Sequence, residues 1–319
     1  MRDIFFMKTK QVIKKIISSN PVTADLYKKF RINKYSKAID LEDIIIYCNS
    51  FCNAQCSFCD VPKVSKEDGI ASGIARPLLD SPLYMSTKLF EQIMSDNLVH
   101  EGKSKFVNFL MTEPLLSKNL GEMLRIAKSY RHTTKVTTNG YLLSKRADEI
   151  APYIDFLQIS IDALQPLHDE IRGKGFFEKA INGLRDIKKI SNAHIEINVT
   201  MAPTTYKQSY DLLEYVDTLD LGIDEVRFQL LDFVSESMSK QHNEMHPMIP
   251  QSPTDSDEGL SLSFADIDSS EILDIFNKIR KFKAKNISRI YLKPNLTTLN
   301  EVDKYFNPSG EALLGHDVC

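Results

Sequence analysis

From residue 41 onward, short apolar segments alternate with longer amphipathic ones, and this alternation constrains the fold of the 319-residue chain more than any other feature. Runs rich in β-branched and aromatic residues mark strands near 43–48, 105–110, 134–138, 154–161, 194–201 and 224–230. Apolar residues recur at helical spacing near 86–99, 117–130, 143–151, 176–191, 206–219 and 270–283. Ser86 stands where an N-cap belongs, ahead of Leu89, Phe90 and Ile93, and Ser269 or Ser270 does the same for Ile272 and Leu273. Strand then helix, six times over, implies a parallel sheet with helices outside. The near-continuous apolar strand Phe156-Leu157-Gln158-Ile159-Ser160-Ile161 fits a sheet covered by helices. Six units suggest an α/β chain folded as an incomplete, TIM-like (β/α)6 barrel; periodicity alone leaves an open doubly wound sheet as the alternative.

Composition supports a globular chain: 42% of residues are hydrophobic and 26% charged, which excludes a disordered or collagenous protein. The longest apolar run, Ile44–Cys48, is strand-sized, so no membrane span is expected. The start, Met1 to Lys8, lacks the apolar core of a signal peptide, and a cytoplasmic location is the expectation. The net charge of −3 hides an asymmetry, because residues 1–40 carry ten Lys/Arg against three Asp/Glu. Val12, Ile13, Ile16 and Ile17 share one helical face there with lysines opposite, which reads as a basic helical segment laid on the main domain. No nucleic-acid partner is expected. Residues 234–260 are polar and proline-broken, too long for a simple turn, and read as a loop covering substrate. His242 and His246 within it have no third ligand nearby and are not taken as a metal site.

The five cysteines are Cys48, Cys52, Cys56, Cys59 and Cys319, four of them within twelve residues. A disulfide framework spreads its cysteines, so this cluster reads as metal binding. Cys52, Cys56 and Cys59 follow the end of the first strand at C-x3-C-x2-C spacing, which lets one short loop wrap three thiolates around one centre. Three centres remain open at this point: a structural zinc site or an electron-transfer cluster, each needing Cys48 as fourth ligand, and a 4Fe-4S cluster held by three thiolates with one iron left for another ligand. Cys48 otherwise reads as a buried structural thiol.

The cysteine stretch, with aromatic Phe58 directly before Cys59, resembles the cluster motif of the radical S-adenosylmethionine (SAM) superfamily. The resemblance runs on through Glu113-Pro114-Leu115-Leu116, Thr138-Asn139-Gly140, Ser160-Ile161-Asp162-Ala163, His168 and Arg172-Gly173, and covers roughly residues 41–295. It implies a partial (β/α)6 TIM-like barrel with a short C-terminal extension, 296–319, like the remnant of a SPASM or twitch segment that stops at Cys319. One departure is Met111-Thr112, where the family often has two glycines before the glutamate; a side chain there narrows the approach of SAM.

The resemblance implies two cofactors, a 4Fe-4S cluster on Cys52, Cys56 and Cys59 and SAM at its open iron, with reductive cleavage to a 5′-deoxyadenosyl radical that takes hydrogen from substrate. Phe58 then shields the cluster or simply packs the core. Thr112 meets the methionyl end through its backbone, and Glu113 accepts from the SAM ammonium. Ser160 and Asp162 bind SAM or cap the next helix, and Arg172 pairs with the SAM carboxylate or stays on the surface. Asn198 faces the ribose or is a sheet asparagine, and Gln229 offers backbone contacts to adenine. An electron donor such as flavodoxin or ferredoxin is implied, and the substrate is an unidentified small molecule or peptide. The rival readings are a non-catalytic iron–sulfur or zinc protein, and a degenerate radical SAM binding module.

Overall fold

The computed structural model describes residues 42–56, 58–59, 63–65, 69–71, 83–96, 99, 104–231 and 267–306. Glu42 apart, these fall within one unit that begins at Asp43. The basic segment 1–40, the loop 234–260 and Cys319 lie outside the described residues.

A seven-stranded sheet organises the chain, in the order β1 (Asp43–Ile46), β4 (Phe106–Phe109), β5 (Thr133–Thr138), β6 (Phe156–Ser160), β7 (His194–Met201), β8 (Ile223–Leu230) and β9 (Ile287–Lys293), every pair parallel. Spatial order follows chain order, so every crossover moves one strand on in the same direction. Among the described residues β1 pairs only with β4 and β9 only with β8, so the sheet is an open, partial barrel. A separate antiparallel hairpin joins β2 (Lys63–Ser65) and β3 (Gly69–Ala71). The helices are α1 (Thr87–Ser95), α2 (Leu120–Ser129), α3 (Leu143–Ile150), α4 (Leu167–Arg172), α5 (Phe176–Ile190), α6 (Ser209–Thr218), α7 (Ser269–Lys281) and α8 (Leu299–Phe306). No described helix is long and apolar enough to cross a membrane.

Six expected strands and six expected helices are present within a few residues of their predicted ends. The expectation of six strands is corrected to seven, because β9 follows α7 and extends the sheet. Ser86 caps α1, accepting from Leu89 N–H at 3.1 Å. At α7 the cap is Asp268 rather than Ser269 or Ser270: its carboxylate accepts from Ser270 N–H at 2.8 Å. Aspartate there also sets a negative charge against the positive end of the helix.

Val107, Val136, Leu157, Ile197 and Phe228 lie on one face of the sheet and are fully buried, the apolar stripes of the helices being buried with them. Along α5 that stripe is Ala180, Ile181, Leu184 and Ile187. Gly183 lies where α5 meets α3; a Cβ there would stand 2.5 Å from Leu143 Cβ, so only glycine permits this approach. Val302 and Phe306 of α8 are buried, and the Tyr305 hydroxyl donates to Leu231 O at 3.3 Å, just past the end of β8. The opposite face of the sheet is concave and polar, and the loops at the carboxyl ends of its strands carry the candidate site.

Candidate active site

The chain leaves β1 into the cysteine loop, which four neighbours hold in place. Met85 N–H donates to Cys48 O at 3.0 Å, and Glu113 N–H to Phe51 O at 3.3 Å. The Asn49 amide donates to Glu113 O at 2.7 Å, and Gln55 N–H to Arg172 O at 3.0 Å, tying the loop to α4. From the turn after β5, the Asn139 amide reaches Asn53 Oδ1 at 2.8 Å and Cys52 Sγ at 3.7 Å. Within the loop, Ala54 N–H points at Cys52 Sγ (3.4 Å), and Cys59 N–H donates to Cys56 O (3.3 Å).

Cys56 is buried, while Cys52 and Cys59 are half-buried. An apolar shell of Ala54, Phe58, Ile171, Phe176, Ala202 and Leu231 surrounds them. Burial pushes the Cys52 thiol up to about 12, and the Glu113 carboxylate and the other two cysteines push in the same direction. Such a thiol becomes a thiolate only when a positive centre compensates, which is what iron supplies. The three thiols lie along one loop inside this apolar shell with the Arg172 cation beside them, and thiolates are the donors a 4Fe-4S group takes. These residues therefore fit a 4Fe-4S group. Cys48 stands apart: it is fully buried, its Sγ faces Pro114 O at 3.8 Å, and burial followed by Glu113 raises its pKa to about 12.

Of the other expected site residues, Thr112, Glu113, Asp162 and Arg172 already hold side-chain partners within the chain. The buried Glu113 carboxylate accepts from the Thr138 hydroxyl at 2.7 Å, Asn139 N–H at 2.8 Å and Leu115 N–H at 3.0 Å. Burial raises its pKa, and these donors pull the other way. It clasps the loop after β4 to the turn after β5. Thr112 donates its hydroxyl to Asn49 O at 3.3 Å, and Met111 before it has φ +76° with half its side chain exposed. Glycine takes that conformation without strain, so the departure noted in the sequence carries a backbone cost.

Asp162 and Arg172 form a buried ion pair, Nε to Oδ2 at 2.6 Å, and Asp162 Oδ1 accepts from Thr200 N–H at 3.0 Å. Burial opposes the charge on Asp162, yet Arg172 outweighs it and holds the carboxyl below its usual range. Burial likewise opposes the charge on Arg172, but Asp162 and then the nearby Cys56 keep its pKa above the ordinary arginine value. Buried His168 accepts from Asp162 N–H through Nδ1 at 3.2 Å, and burial lowers its pKa to about 4. Arg172 is thus no surface residue: it is buried beside Cys56 and Cys52. Ser160 and Asn198 lie side by side in the β6–β7 register, half-buried on the concave face, with Gln229 opposite Thr200 one row further toward the rim. The sequence reading had no role for Asn49 or for the Asn139 side chain, both of which hold the cysteine loop; only their place beside motif residues hinted at it.

The family model of the Radical SAM superfamily matches residues 46–232, more than half the chain. The chain belongs to the radical SAM superfamily. Members of this family of enzymes use a 4Fe-4S cluster and SAM as cofactors. A stretch of 123 residues is 28% identical to GTP 3′,8-cyclase of Aliarcobacter butzleri (strain RM4018), covering 37% of each chain. Among solved structures, Streptococcus suis SuiB bound to S-adenosylmethionine is similar in fold, with a TM-score of 0.53 at 15% identity, covering 90% of this chain and 61% of that one. The enzyme anSMEcpe with bound AdoMet and Kp18Cys peptide is similar too, with a TM-score of 0.51 at 13% identity, over 79% of this chain and 63% of that one. The chain thus spans less than two thirds of the length of each of these relatives. At such identity the two solved structures speak to the fold, which is the radical SAM partial barrel.

Proposed function

We propose that this chain is a radical SAM enzyme in which Cys52, Cys56 and Cys59 hold the 4Fe-4S cluster. When bound, that cluster supplies the electron that cleaves SAM to a 5′-deoxyadenosyl radical for hydrogen abstraction. The observation that carries the reading is one loop with three thiols in an apolar shell and the buried Arg172 cation beside them. Arg172, whose Nε is committed to Asp162, turns its remaining donors to the SAM carboxylate. Ser160, Asn198 and Gln229 receive the ribose and adenine along the concave face, and the Thr112–Glu113 backbone meets the methionyl end. Phe58, 8% exposed, keeps water from the cluster side. The single thiol set leaves one catalytic centre. Residues 41–295 carry the catalytic chemistry, preceded in sequence by a Lys/Arg-rich segment, 1–40, and followed by α8, which packs on α7. The protein is cytoplasmic, draws its electron from a flavodoxin or ferredoxin, and acts on a small molecule or peptide.

Anaerobic reconstitution with iron and sulfide, followed by a reductant and SAM, tests this reading. About four irons per chain and release of 5′-deoxyadenosine are expected. Cys52→Ala, Cys56→Ala and Cys59→Ala each lose the cluster absorbance, whereas Cys48→Ala keeps it. Zinc in place of iron, or a cluster indifferent to SAM, overturns the proposal.

A further inference from the structure

Beyond the cofactor loop, the concave face of the sheet carries a charged lattice that none of the roles above uses. The Thr137 hydroxyl donates to Gln158 Oε1 at 3.0 Å, Gln158 Nε2 to Glu196 Oε2 at 3.2 Å, and Lys135 Nζ to the same oxygen at 2.5 Å. One strand further, Arg227 Nε donates to Glu225 Oε1. Both glutamates are buried and each is answered by a cation, so the floor of this face is neutral and its polar atoms are fixed in place.

Arg227 differs from the rest. Its side chain is 46% exposed, its guanidinium lies over the Tyr291 ring at 5.5 Å, and Glu225 holds its Nε. The two terminal amino groups have no hydrogen-bond partner among the described residues. A guanidinium locked by a stacking ring and a carboxylate, with its outer fork open, is preorganised for a bidentate oxyanion. The register puts Arg227 in one cross-strand row with Asn198 and Ser160, the row proposed to meet SAM. Arg289 and Lys293, exposed on β9 and two residues either side of Tyr291, add positive charge. Cations on an edge strand also guard it against pairing with another chain. Arg227 is not on an edge, since β8 is paired on both sides.

We propose that Arg227 anchors an oxyanion of the substrate, a carboxylate or a phosphate, on the concave face. This rests on the radical SAM reading for the identity of the occupant as substrate. Calorimetric titration of the anaerobically reconstituted full chain with succinate in one arm and inorganic pyrophosphate in the other tests it. Saturable binding of succinate alone assigns a carboxylate, of pyrophosphate alone a phosphate, and of both the shared oxyanion chemistry. Arg227→Gln is expected to weaken that binding at least tenfold and Arg227→Lys by less, because lysine keeps the charge without the fork. Tyr291→Leu, which removes the stacking ring without touching charge, weakens it several-fold and serves as the readout if Arg227→Gln does not fold. Iron content and SAM binding are expected to stay at the level of the unaltered chain in all three variants. If neither probe saturates, or both bind the variants as they bind the unaltered chain, the proposal fails. Failure of the unaltered chain to bind SAM strikes the proposed function instead and leaves the anion titration readable.

Discussion

Asp162 and Arg172 meet at 2.6 Å with 0% and 9% of their side chains exposed, so removing either charge strands the other away from water. Asp162→Asn is expected to cost about 3–5 kcal/mol in denaturant unfolding of the metal-free chain. The double variant Asp162→Leu, Arg172→Met, with no charge left to strand, is expected to recover much of that loss. The carboxyl sits below its usual range when folded, so its stabilisation is complete above about pH 4, the unfolded aspartate value, and fades as pH falls through the lower folded value. The Asn variant should therefore lose this part of the acid limb of the unfolding midpoint. At this scale the cysteine spacing was legible because three ligands lie within eight residues, 52–59. The partners of Glu113 were not legible, since Thr138 and Asn139 reach it only through the β4–β5 pairing.

Packing of elements sets tighter demands than their formation does. Gly183 sits mid-helix, where glycine costs about 1 kcal/mol in propensity, yet alanine there would press its Cβ to 2.5 Å from Leu143 Cβ. Overpacking of this kind costs about 1–3 kcal/mol. Gly183→Ala is expected to lower the unfolding midpoint despite its better helix propensity, and adding Leu143→Ala should not restore it, because the clashing Cβ remains. A higher midpoint for Gly183→Ala would show that α3 and α5 can part without loss. The α5 stripe and the buried strands were readable in the sequence, since the face under the helices leaves an apolar residue at every second strand position and helices leave a 3.6 period. The strand β9 was not: Arg289, Tyr291 and Lys293 are exposed on one face and Ile290 and Leu292 on the other are only half-buried, so its apolar positions carry less of the core than those of β8. With six residues, α4 is too short to display a helical period.

Across the whole molecule, the carboxyl ends of the strands are coupled to the chain's last described helix. The carbonyl of Leu231 takes the Tyr305 hydroxyl of α8, while its side chain belongs to the apolar shell around Cys56 and Phe58. Val302 of the same helix is fully buried, and α8 packs on α7. If α8 is an integral wall of the barrel, Val302→Ala removes packing from the global fold, at about 2 kcal/mol for two buried methyl groups and the space they leave. If α8 is an appendage that opens by itself, the same substitution frees only that helix and leaves the main transition in place. The contact with Leu231 favours the first outcome. Val302→Ala is thus expected to shift the main unfolding transition as one cooperative step, with circular dichroism and tyrosine fluorescence moving together. A main transition unchanged within error, with only a small early loss of helix, would place the boundary of the catalytic core before residue 299.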